Sequence, residues 1–224
     1  MDKLPRVWVG TLYSGEAEYK ACCDAIQSQE RVHVTHHVIE GLPEKEAHDA
    51  LWTAWGAAKD THDLFVKVDA DTIPSPRIFS QIATNFAMNP DITGMQIRLL
   101  DYFTNELIAG MNAFSRDVIF KPSPELHCDR VDIGHRVVIK GSEVFHLEPA
   151  GTHASSYSTR SQAFHYGLHR YLKGQHKTLN QVRQVWETEQ DEVRAWALAG
   201  ADWAHKNMIK LDYTDLRLQE LTKL

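Results

Sequence analysis

Residues 64–74 carry the most restrictive feature of the sequence, an apolar run that ends in two aspartates followed by a proline. The run follows a polar, loop-like stretch and is rich in β-branched residues, so we expect a strand to begin at its first residue. Side chains alternate along a strand, which places Lys67, Asp69 and Asp71 on one face. Pro74 cannot donate a ladder hydrogen bond, so pairing should stop there and leave both carboxylates at the strand end.

The acidic pair Asp69 and Asp71 admits two interpretations. Two adjacent carboxylates repel one another, and a divalent cation with oxygen ligands relieves that repulsion while holding a phosphate-bearing substrate. Alternatively, the two residues cap the helix that we predict to begin near Ser75, because aspartate is favoured at helix N-termini. Only the context of the pair, with a buried strand before it and helices on both sides, favours the cation site.

Composition restricts the class of protein. At 224 residues, 43% of them hydrophobic and 24% charged, the chain can bury the core of one soluble domain, with or without an appendage. A formal net charge of −6 argues against general nucleic-acid binding and against an anionic membrane surface as a partner.

Cysteine usage and the N-terminus indicate the compartment. Cys22, Cys23 and Cys128 provide neither a disulfide framework nor four metal ligands, which is typical of a reducing compartment. The first residues lack the apolar core of a signal peptide, and no segment approaches the roughly 20 apolar residues of a membrane span. We therefore expect a cytoplasmic protein.

Strand and helix patterns alternate along the first half of the chain. A strand, a glycine-containing turn and a helix open it as a βαβ unit, whose first loop commonly meets a nucleotide. The patterns predict strands at 6–12, 32–39, 92–100 and 111–115, a hairpin of 137–139 with 143–146, and helices at 17–29, 44–59, 76–88 and 159–172, with one or two more between 179 and 224. This order predicts an α/β fold with a mostly parallel central sheet flanked by helices, plus a helical C-terminal tail.

Taken together, these residues resemble a glycosyltransferase of the GT-A fold, close to the family-two enzymes. The matching features are the strand and loop at residues 7–16, the alanine- and tryptophan-containing helix before the third strand, and the Asp-x-Asp motif. Lys67, two residues before the motif, also resembles some β-linkage galactosyltransferases. The resemblance covers residues 6–173. It implies a GT-A (Rossmann-like) domain at 1–173, with a helical extension at 174–224 packed on it.

The resemblance also implies a donor site. Thr11, Tyr13 and Glu16 occupy positions where that family's first loop holds the base and ribose of a nucleotide sugar. Lys67 is expected to contribute to the same donor site. Asp69 matches the carboxylate that reaches the ribose or a metal-bound water in that family. These five residues are therefore expected to bind the nucleotide sugar.

A divalent metal is implied by the second half of the motif. Asp71 matches the carboxylate that binds Mn²⁺ or Mg²⁺ directly in that family, with Asp69 beside it, and a third ligand is expected further along the chain. His146 and His153 are the candidates. We favour His153, because it lies in the polar loop 151–156, where a mobile lid could bring it to the metal. His146 fits a strand-end histidine about as well as a ligand.

The catalytic base is expected in a second acidic segment. Inverting family-two enzymes often carry Glu-Asp followed by Asp-Leu-x-x-Arg. Asp132 and Arg136 match the second part, whereas Asp129-Arg130 stands in place of the acidic pair. We favour Asp129 as the base, with Asp132 as the second choice. The alternative is that these aspartates form salt bridges with Arg130 and Arg136 at the start of a helix. A retaining reaction needs no such base, so the stereochemistry stays open.

The resemblance implies a metal-dependent glycosyltransferase that moves a sugar from a nucleotide-sugar donor, with a UDP-sugar favoured, to an acceptor hydroxyl of a glycan or glycoconjugate. Two other functions remain open. A sugar-nucleotide nucleotidyltransferase should begin with a glycine-rich basic loop, and residues 12–16 contain no basic residue. A non-catalytic module that binds nucleotide sugars or glycans is the second. The C-terminal helices leave two further partners open, a peripheral membrane surface and a second copy of the chain.

Overall fold

The structure is a computed structural model that describes residues 3–120, 137–138, 142–145 and 150–207. The chain forms two compact units, one of residues 1–100 with 107–153 and one of residues 101–106 with 154–224. We expected the division after residue 173. The helix that begins at Arg160 instead belongs to the same unit as the later helices.

Strands alternate with helices in the first unit, as the sequence predicts. Its strands are β1 (Arg6–Tyr13), β2 (His33–Glu40), β3 (Leu64–Lys67), β4 (Thr72–Pro74), β5 (Gly94–Asp101), β6 (Leu107–Ser115), β7 (Ile119–Phe120), β8 (Val137–Val138), β9 (Ser142–Phe145) and β10 (Gly151–His153). Its helices are α1 (Tyr19–Gln27), α2 (Glu44–Ala58), a short 3-10 helix (Lys59–Thr61) and α3 (Ile78–Met88). The predicted strands and helices of the first hundred residues are all present, with small shifts at their ends.

The main sheet has the strand order β2-β1-β3-β6-β5-β10-β4, and β9 pairs with β5 outside this path. β1 is parallel to β2 and to β3, and β9 is parallel to β5. β6 is antiparallel to β3 and to β5, and β4 is antiparallel to β10. The sheet is therefore mixed, and a mostly parallel sheet is not confirmed. The short connection between β5 and β6 allows only an antiparallel pair, since a parallel pair needs a long crossover.

The hairpin predicted from residues 137–139 and 143–146 is wrong. β8 pairs with β7 in a separate two-stranded sheet, whereas β9 joins the main sheet beside β5. Both strands exist near the expected positions, but their partners are distant in sequence. Residues 140 and 141 of the predicted turn, and residues 139 and 146 of its strands, lie outside the described residues.

Alternating side chains of the central strands form two apolar clusters in the first unit. Val9 of β1 and Val66 of β3 lie in a cluster that includes the buried face of α3. Trp8 and Phe65, the intervening residues, lie in the other cluster with the tryptophans of α2. Because both faces of β1 and β3 are buried, these strands hold the backbone that leads to the acidic motif.

β3 ends before the acidic motif, and pairing does not stop at Pro74. The strand ends at Lys67, a turn follows in which the Thr72 N–H donates to the Asp69 carbonyl oxygen (2.9 Å), and β4 then pairs with β10. The expectation that Pro74 ends the pairing is therefore wrong. β4 is the last strand in the sheet order, and an edge strand tolerates proline because one of its sides needs no donor.

The second unit contains α4 (Arg160–Leu172), α5 (His176–Glu189) and α6 (Glu192–Lys206), in agreement with the predicted C-terminal helices. α4 begins at a capping box, in which Thr159 Oγ1 accepts from the Gln162 N–H and Gln162 Oε1 accepts from the Thr159 N–H, each at 3.1 Å. Among the described helices of the chain, none is long and apolar enough to cross a membrane.

Arg194 is a buried cation at the centre of the second unit, with only 1% of its side chain exposed. Its guanidinium donates to the carbonyl oxygens of Tyr102 and Phe103 and to the carboxylates of Glu189 (2.7 Å) and Asp191 (2.8 Å). These bonds satisfy the buried charge and fix the short segment 101–106 within this unit.

Two glycines set the distance between α4 and α6. A Cβ added at Gly167 would lie 1.7 Å from the Ala197 carbonyl oxygen, and one added at Gly200 would lie 2.0 Å from the Phe164 carbonyl oxygen. Glycine lowers the intrinsic stability of α4, but here it permits backbone contact between the two helices.

We expect Gly167→Ala or Gly200→Ala to lower the free energy of unfolding by about 1–3 kcal/mol or more, because the new methyl group overlaps a backbone carbonyl. Gly56→Ala in α2 is the matched control: an added Cβ there meets no atom within 4 Å. That change should raise stability by about 0.5–1 kcal/mol through helix propensity. Urea unfolding measures all three, and equal stability of Gly167→Ala and Gly56→Ala would contradict the close contact.

Candidate functional site

The acidic turn follows directly from the end of β3. The Val68 N–H donates to the Gly10 carbonyl oxygen (3.0 Å), which keeps the chain beside β1 after the strand has ended. Val68 and Ala70 are buried, whereas Asp69 and Asp71 are partly exposed. The alternation predicted from the sequence therefore continues through the turn, although regular pairing does not.

Lys67 forms a close ion pair with Asp69. Its Nζ lies 2.6 Å from Asp69 Oδ1; the lysine side chain is only 6% exposed, whereas that of Asp69 is 40% exposed. A buried ammonium group needs a compensating charge, so Lys67 orients the Asp69 carboxylate. Asp69 lies in the turn just after β3, and the turn brings its carboxylate to the ammonium group at the end of the strand.

Asp71 lies beside His153. The distance from His153 Nε2 to Asp71 Oδ2 is 3.4 Å, and the other carboxylate oxygen, Oδ1, is buried without a hydrogen-bond partner among the described residues. Burial by itself would raise the pKa of Asp71, but the neighbouring His153, the backbone N–H of Asp71 itself and, more weakly, Lys67 outweigh burial and hold that pKa below its ordinary value. Asp71 is therefore an ionised carboxylate with one unused oxygen at neutral pH.

His153 reaches this position as part of a strand. It belongs to β10 and lies opposite Thr72 of β4, the residue after Asp71. We expected residues 151–156 to form a loop that closes as a lid, but the structure places residues 151–153 in the sheet. No lid movement is needed to bring the imidazole to Asp71.

The donors around Asp71 fit part of a divalent-metal site. Its unpaired carboxylate oxygen and the imidazole of His153 are groups that Mn²⁺ accepts, and Mg²⁺ accepts the carboxylate. Asp69, the other expected ligand, is engaged by Lys67. In the part of the chain that the structure describes, no group of three or more His, Cys, Asp or Glu side chains is arranged to hold a metal ion. The turn therefore offers two metal-binding groups directly, Asp71 and His153. Asp69 would bind a metal only after giving up its ion pair with Lys67.

The Thr11 side chain is buried against the neighbouring strand β2 rather than facing solvent. It is fully buried, and its Oγ1 lies 3.0 Å from His36 Nε2. Burial, and then the neighbouring His37, lower the pKa of His36, so this imidazole is neutral at pH 7. The Thr11 side chain thus has its partner within β2.

Tyr13 and Glu16 lie at the carboxyl end of β1, where the predicted nucleotide loop begins. The Tyr13 ring stacks on Tyr19 with 3.9 Å between centroids. The Glu16 carboxylate accepts from the Ser14 N–H (2.8 Å) and hydroxyl (2.6 Å), which closes a small turn. Both side chains are partly exposed and have fixed positions at the strand end.

The predicted base and the alternative metal ligand cannot be placed. Asp129 and Asp132, together with Arg130 and Arg136, lie outside the described residues, as does His146. Their roles stay predictions from the sequence.

Two residues near the motif were not predicted to contribute to it. The buried Cys22 of α1 donates its thiol to the Asp69 carbonyl oxygen at 3.6 Å, and burial raises the pKa of that thiol, which keeps it protonated. Asn112 of β6 is the register partner of Lys67 and is also buried. A polar residue inside an apolar strand is visible in the sequence, but the sequence does not reveal that Asn112 lies opposite Lys67.

Comparisons with known proteins give weak similarities to solved structures. No protein-family model matches the chain, and no curated protein does. A mannosyltransferase from Pyrobaculum calidifontis, solved with GDP-Man and Mn²⁺, aligns over 99% of this chain and 84% of its own, with a TM-score of 0.41 and 12% identity. A glycosyltransferase involved in glycosylation of the major capsid of PBCV-1 has a TM-score of 0.33 and 16% identity. A protein from Desulfovibrio desulfuricans G20, provisionally described as a nucleotide-diphospho-sugar transferase, has a TM-score of 0.33 and 13% identity.

The last two alignments each cover 50% of this chain and 61% and 64% of the solved chains, so the chain spans less than two thirds of their length. These TM-scores and identities are too low to identify the family or the reaction of this chain. The candidate site therefore depends on its own geometry.

The burial of Lys67 predicts unequal effects of breaking its ion pair. Asp69→Asn should lower the free energy of unfolding by about 1–3 kcal/mol, because a buried ammonium loses its counter-charge. Lys67→Met should cost less, since the freed carboxylate of Asp69 is exposed enough to be hydrated. Asp202→Asn, at an exposed pair with Arg183 (3.7 Å), is the control and should change stability by about 0–1 kcal/mol. Urea unfolding at pH 7 checks the order, and a larger loss in Lys67→Met would refute it.

Proposed function

We propose that the chain is a metal-dependent glycosyltransferase that transfers a sugar from a nucleotide-sugar donor, preferably a UDP-sugar, to an acceptor hydroxyl of a glycan or glycoconjugate. The observation that carries this proposal is the unpaired oxygen of ionised Asp71 beside His153, at the end of a strand in an α/β sheet. Such strand ends are common positions for nucleotide and phosphate ligands in α/β folds.

The residues around Asp71 have separate tasks in this proposal. Asp71 and His153 would hold Mn²⁺ or Mg²⁺, and Asp69, oriented by Lys67, would contact the ribose or a water on the metal. The cation would act as a Lewis acid that stabilises the negative charge on the departing diphosphate.

The first loop would hold the nucleotide. Tyr13 and Glu16 lie at the end of β1, which is the neighbour of β3 in the sheet, so the two strand ends that carry the predicted donor site are adjacent. Thr11 would contribute through its backbone, because its hydroxyl is paired with His36.

A nucleotide that binds only the folded chain should raise its melting temperature. With Mn²⁺ present and UDP at about a hundredfold excess over its Kd, we expect a gain of roughly 2.7 kcal/mol, which corresponds to about 5–10 °C for a chain of this length. The shift should vanish in EDTA and in Asp71→Ala. Asp117→Ala, at an exposed aspartate outside the site, is the control that should keep it.

Other outcomes of this melting experiment separate the alternatives. A metal-dependent shift with GDP instead of UDP keeps the enzyme class and changes the donor. Binding that survives in Asp71→Ala supports a non-catalytic binding module. A preference for nucleoside triphosphates supports a nucleotidyltransferase. Melting temperatures that no nucleotide changes would contradict the donor site.

The proposed base can be tested separately from donor binding. If Asp129 deprotonates the acceptor, Asp129→Asn should lower kcat by at least about a hundredfold while leaving the UDP-induced melting shift unchanged. Asp132→Asn is the matched comparison. The measurement is sugar transfer from the donor identified above, and a larger loss in Asp132→Asn would assign the base to that residue instead.

A further inference from the structure

A cleft beside α3 has the chemistry of a second binding site. It is an open surface groove of about 330 Å³, in which Arg31, Arg77 and Thr84 are exposed and Ser80, Gln81 and Asn85 are half-buried. Small-ligand pockets typically occupy about 300–1,000 Å³, so the cleft can accept a molecule of monosaccharide size.

One wall of the cleft is the polar face of α3. Residues 77, 80, 81, 84 and 85 recur at the three- and four-residue spacing that places side chains on one side of a helix. The opposite face of α3 carries the buried apolar residues of the helix. The rigid packing of that apolar face fixes the orientation of the polar one.

Arg31 forms the other wall with a strained backbone. Its φ is 60°, in the left-handed region that favours glycine and is uncommon for long side chains. Within the described part of the chain, its guanidinium makes no hydrogen bond or ion pair, and the side chain lines the cleft. Arg31 lies in the turn between α1 and β2, and this turn holds its side chain at the edge of the cleft.

The two walls are tied together by hydrogen bonds at the start of α3. The Glu30 N–H donates to the Pro76 carbonyl oxygen (2.8 Å), and Gln29 Nε2 donates to the Ser75 carbonyl oxygen (2.7 Å). Gln29 Oε1 also accepts from the Phe79 N–H (3.2 Å). These bonds hold the backbone of both walls in place before any ligand binds, which lowers part of the entropy cost of binding.

The charged end of the cleft favours an anion. Arg77 Nε donates to a carboxylate oxygen of Glu30 (2.7 Å), so one of the two guanidinium charges is compensated. The other, on Arg31, is not compensated by a described residue, and the terminal nitrogens of Arg77 keep their donors. Guanidinium groups bind phosphate and carboxylate through paired hydrogen bonds.

The rest of the cleft favours hydroxyl groups. Ser80 Oγ donates to the Arg77 carbonyl oxygen (2.8 Å), Thr84 Oγ1 to that of Ser80 (2.9 Å), and Asn85 Nδ2 to that of Gln81 (3.0 Å). Because these side chains use donors within the helix, their oxygens keep the capacity to accept, and hydroxyl groups are suitable donors.

We propose that this cleft binds an anionic saccharide. Its phosphate or carboxylate would pair with Arg31 and Arg77, and its hydroxyls would donate to Ser80, Thr84 and Asn85. This site does not depend on the glycosyltransferase proposal, because none of its residues belongs to the acidic turn or the nucleotide loop.

Titration calorimetry of the full chain in EDTA tests this proposal with glucose-6-phosphate, glucuronate, glucose and inorganic phosphate as probes. We expect one or both anionic sugars to bind more tightly than glucose or inorganic phosphate. Arg31→Gln and Arg77→Gln should each weaken that binding at least about tenfold. Arg31→Gly should lose it equally without a lower melting temperature, because glycine suits the backbone at this position. Arg183→Gln, at an exposed arginine of α5, should bind as the unchanged chain does.

The outcomes separate the parts of the proposal. A preference for glucose-6-phosphate assigns a sugar phosphate, and a preference for glucuronate assigns a sugar acid. Equal affinity for inorganic phosphate overturns the saccharide assignment. Absence of binding by both anionic sugars, or binding that Arg31→Gly leaves intact, overturns the site. Because EDTA removes the metal proposed at Asp71, each result is independent of the glycosyltransferase proposal.

Discussion

The candidate metal site depends on the short antiparallel pairing of β10 with β4. This pairing places His153 opposite Thr72 and therefore beside Asp71, although the two strands are far apart in sequence. Gly151 makes the approach possible: its φ is 141°, and a Cβ there would lie 2.5 Å from the Ile73 carbonyl oxygen. Any side chain at this position would push β10 away from β4, and the imidazole would move with it.

The sequence predicted those elements whose periodicity extends over several turns or alternations. α2 and β1 are examples, since each repeats its pattern often enough to be recognised locally. β4 and β10, with three residues each, are too short to show a pattern, and Pro74 argued against pairing because a sequence does not reveal which strand lies at an edge. β9 was found but given the wrong partner, since its pairing with β5 depends on distant contacts.

The same distinction applies to the candidate site. The sequence placed Lys67 and Asp69 on one face, and they do lie together, but their contact is made in the turn that follows β3. His153 was favoured for its residue type and its polar surroundings, while the strand that carries it was not foreseen. Thr11 shows the limit of a family resemblance: the position matches a nucleotide-binding loop, but its hydroxyl is paired with His36 inside the sheet. Only the three-dimensional pairing of β1 with β2 reveals that bond.

Ser75 connects the two charged regions of the first unit. Its N–H donates to the Ala150 carbonyl oxygen (3.1 Å), just before β10, and its own carbonyl oxygen accepts from Gln29 (2.7 Å), two residues before Arg31. The acidic turn and the polar cleft therefore lie at opposite ends of one short segment, residues 71–77, which backbone hydrogen bonds hold in place. Because neither region relies on the charge of the other for its position, removing a charge at one end should leave the backbone at the other end unchanged. The two sites can thus be separated by single substitutions, even though one segment of chain supports both.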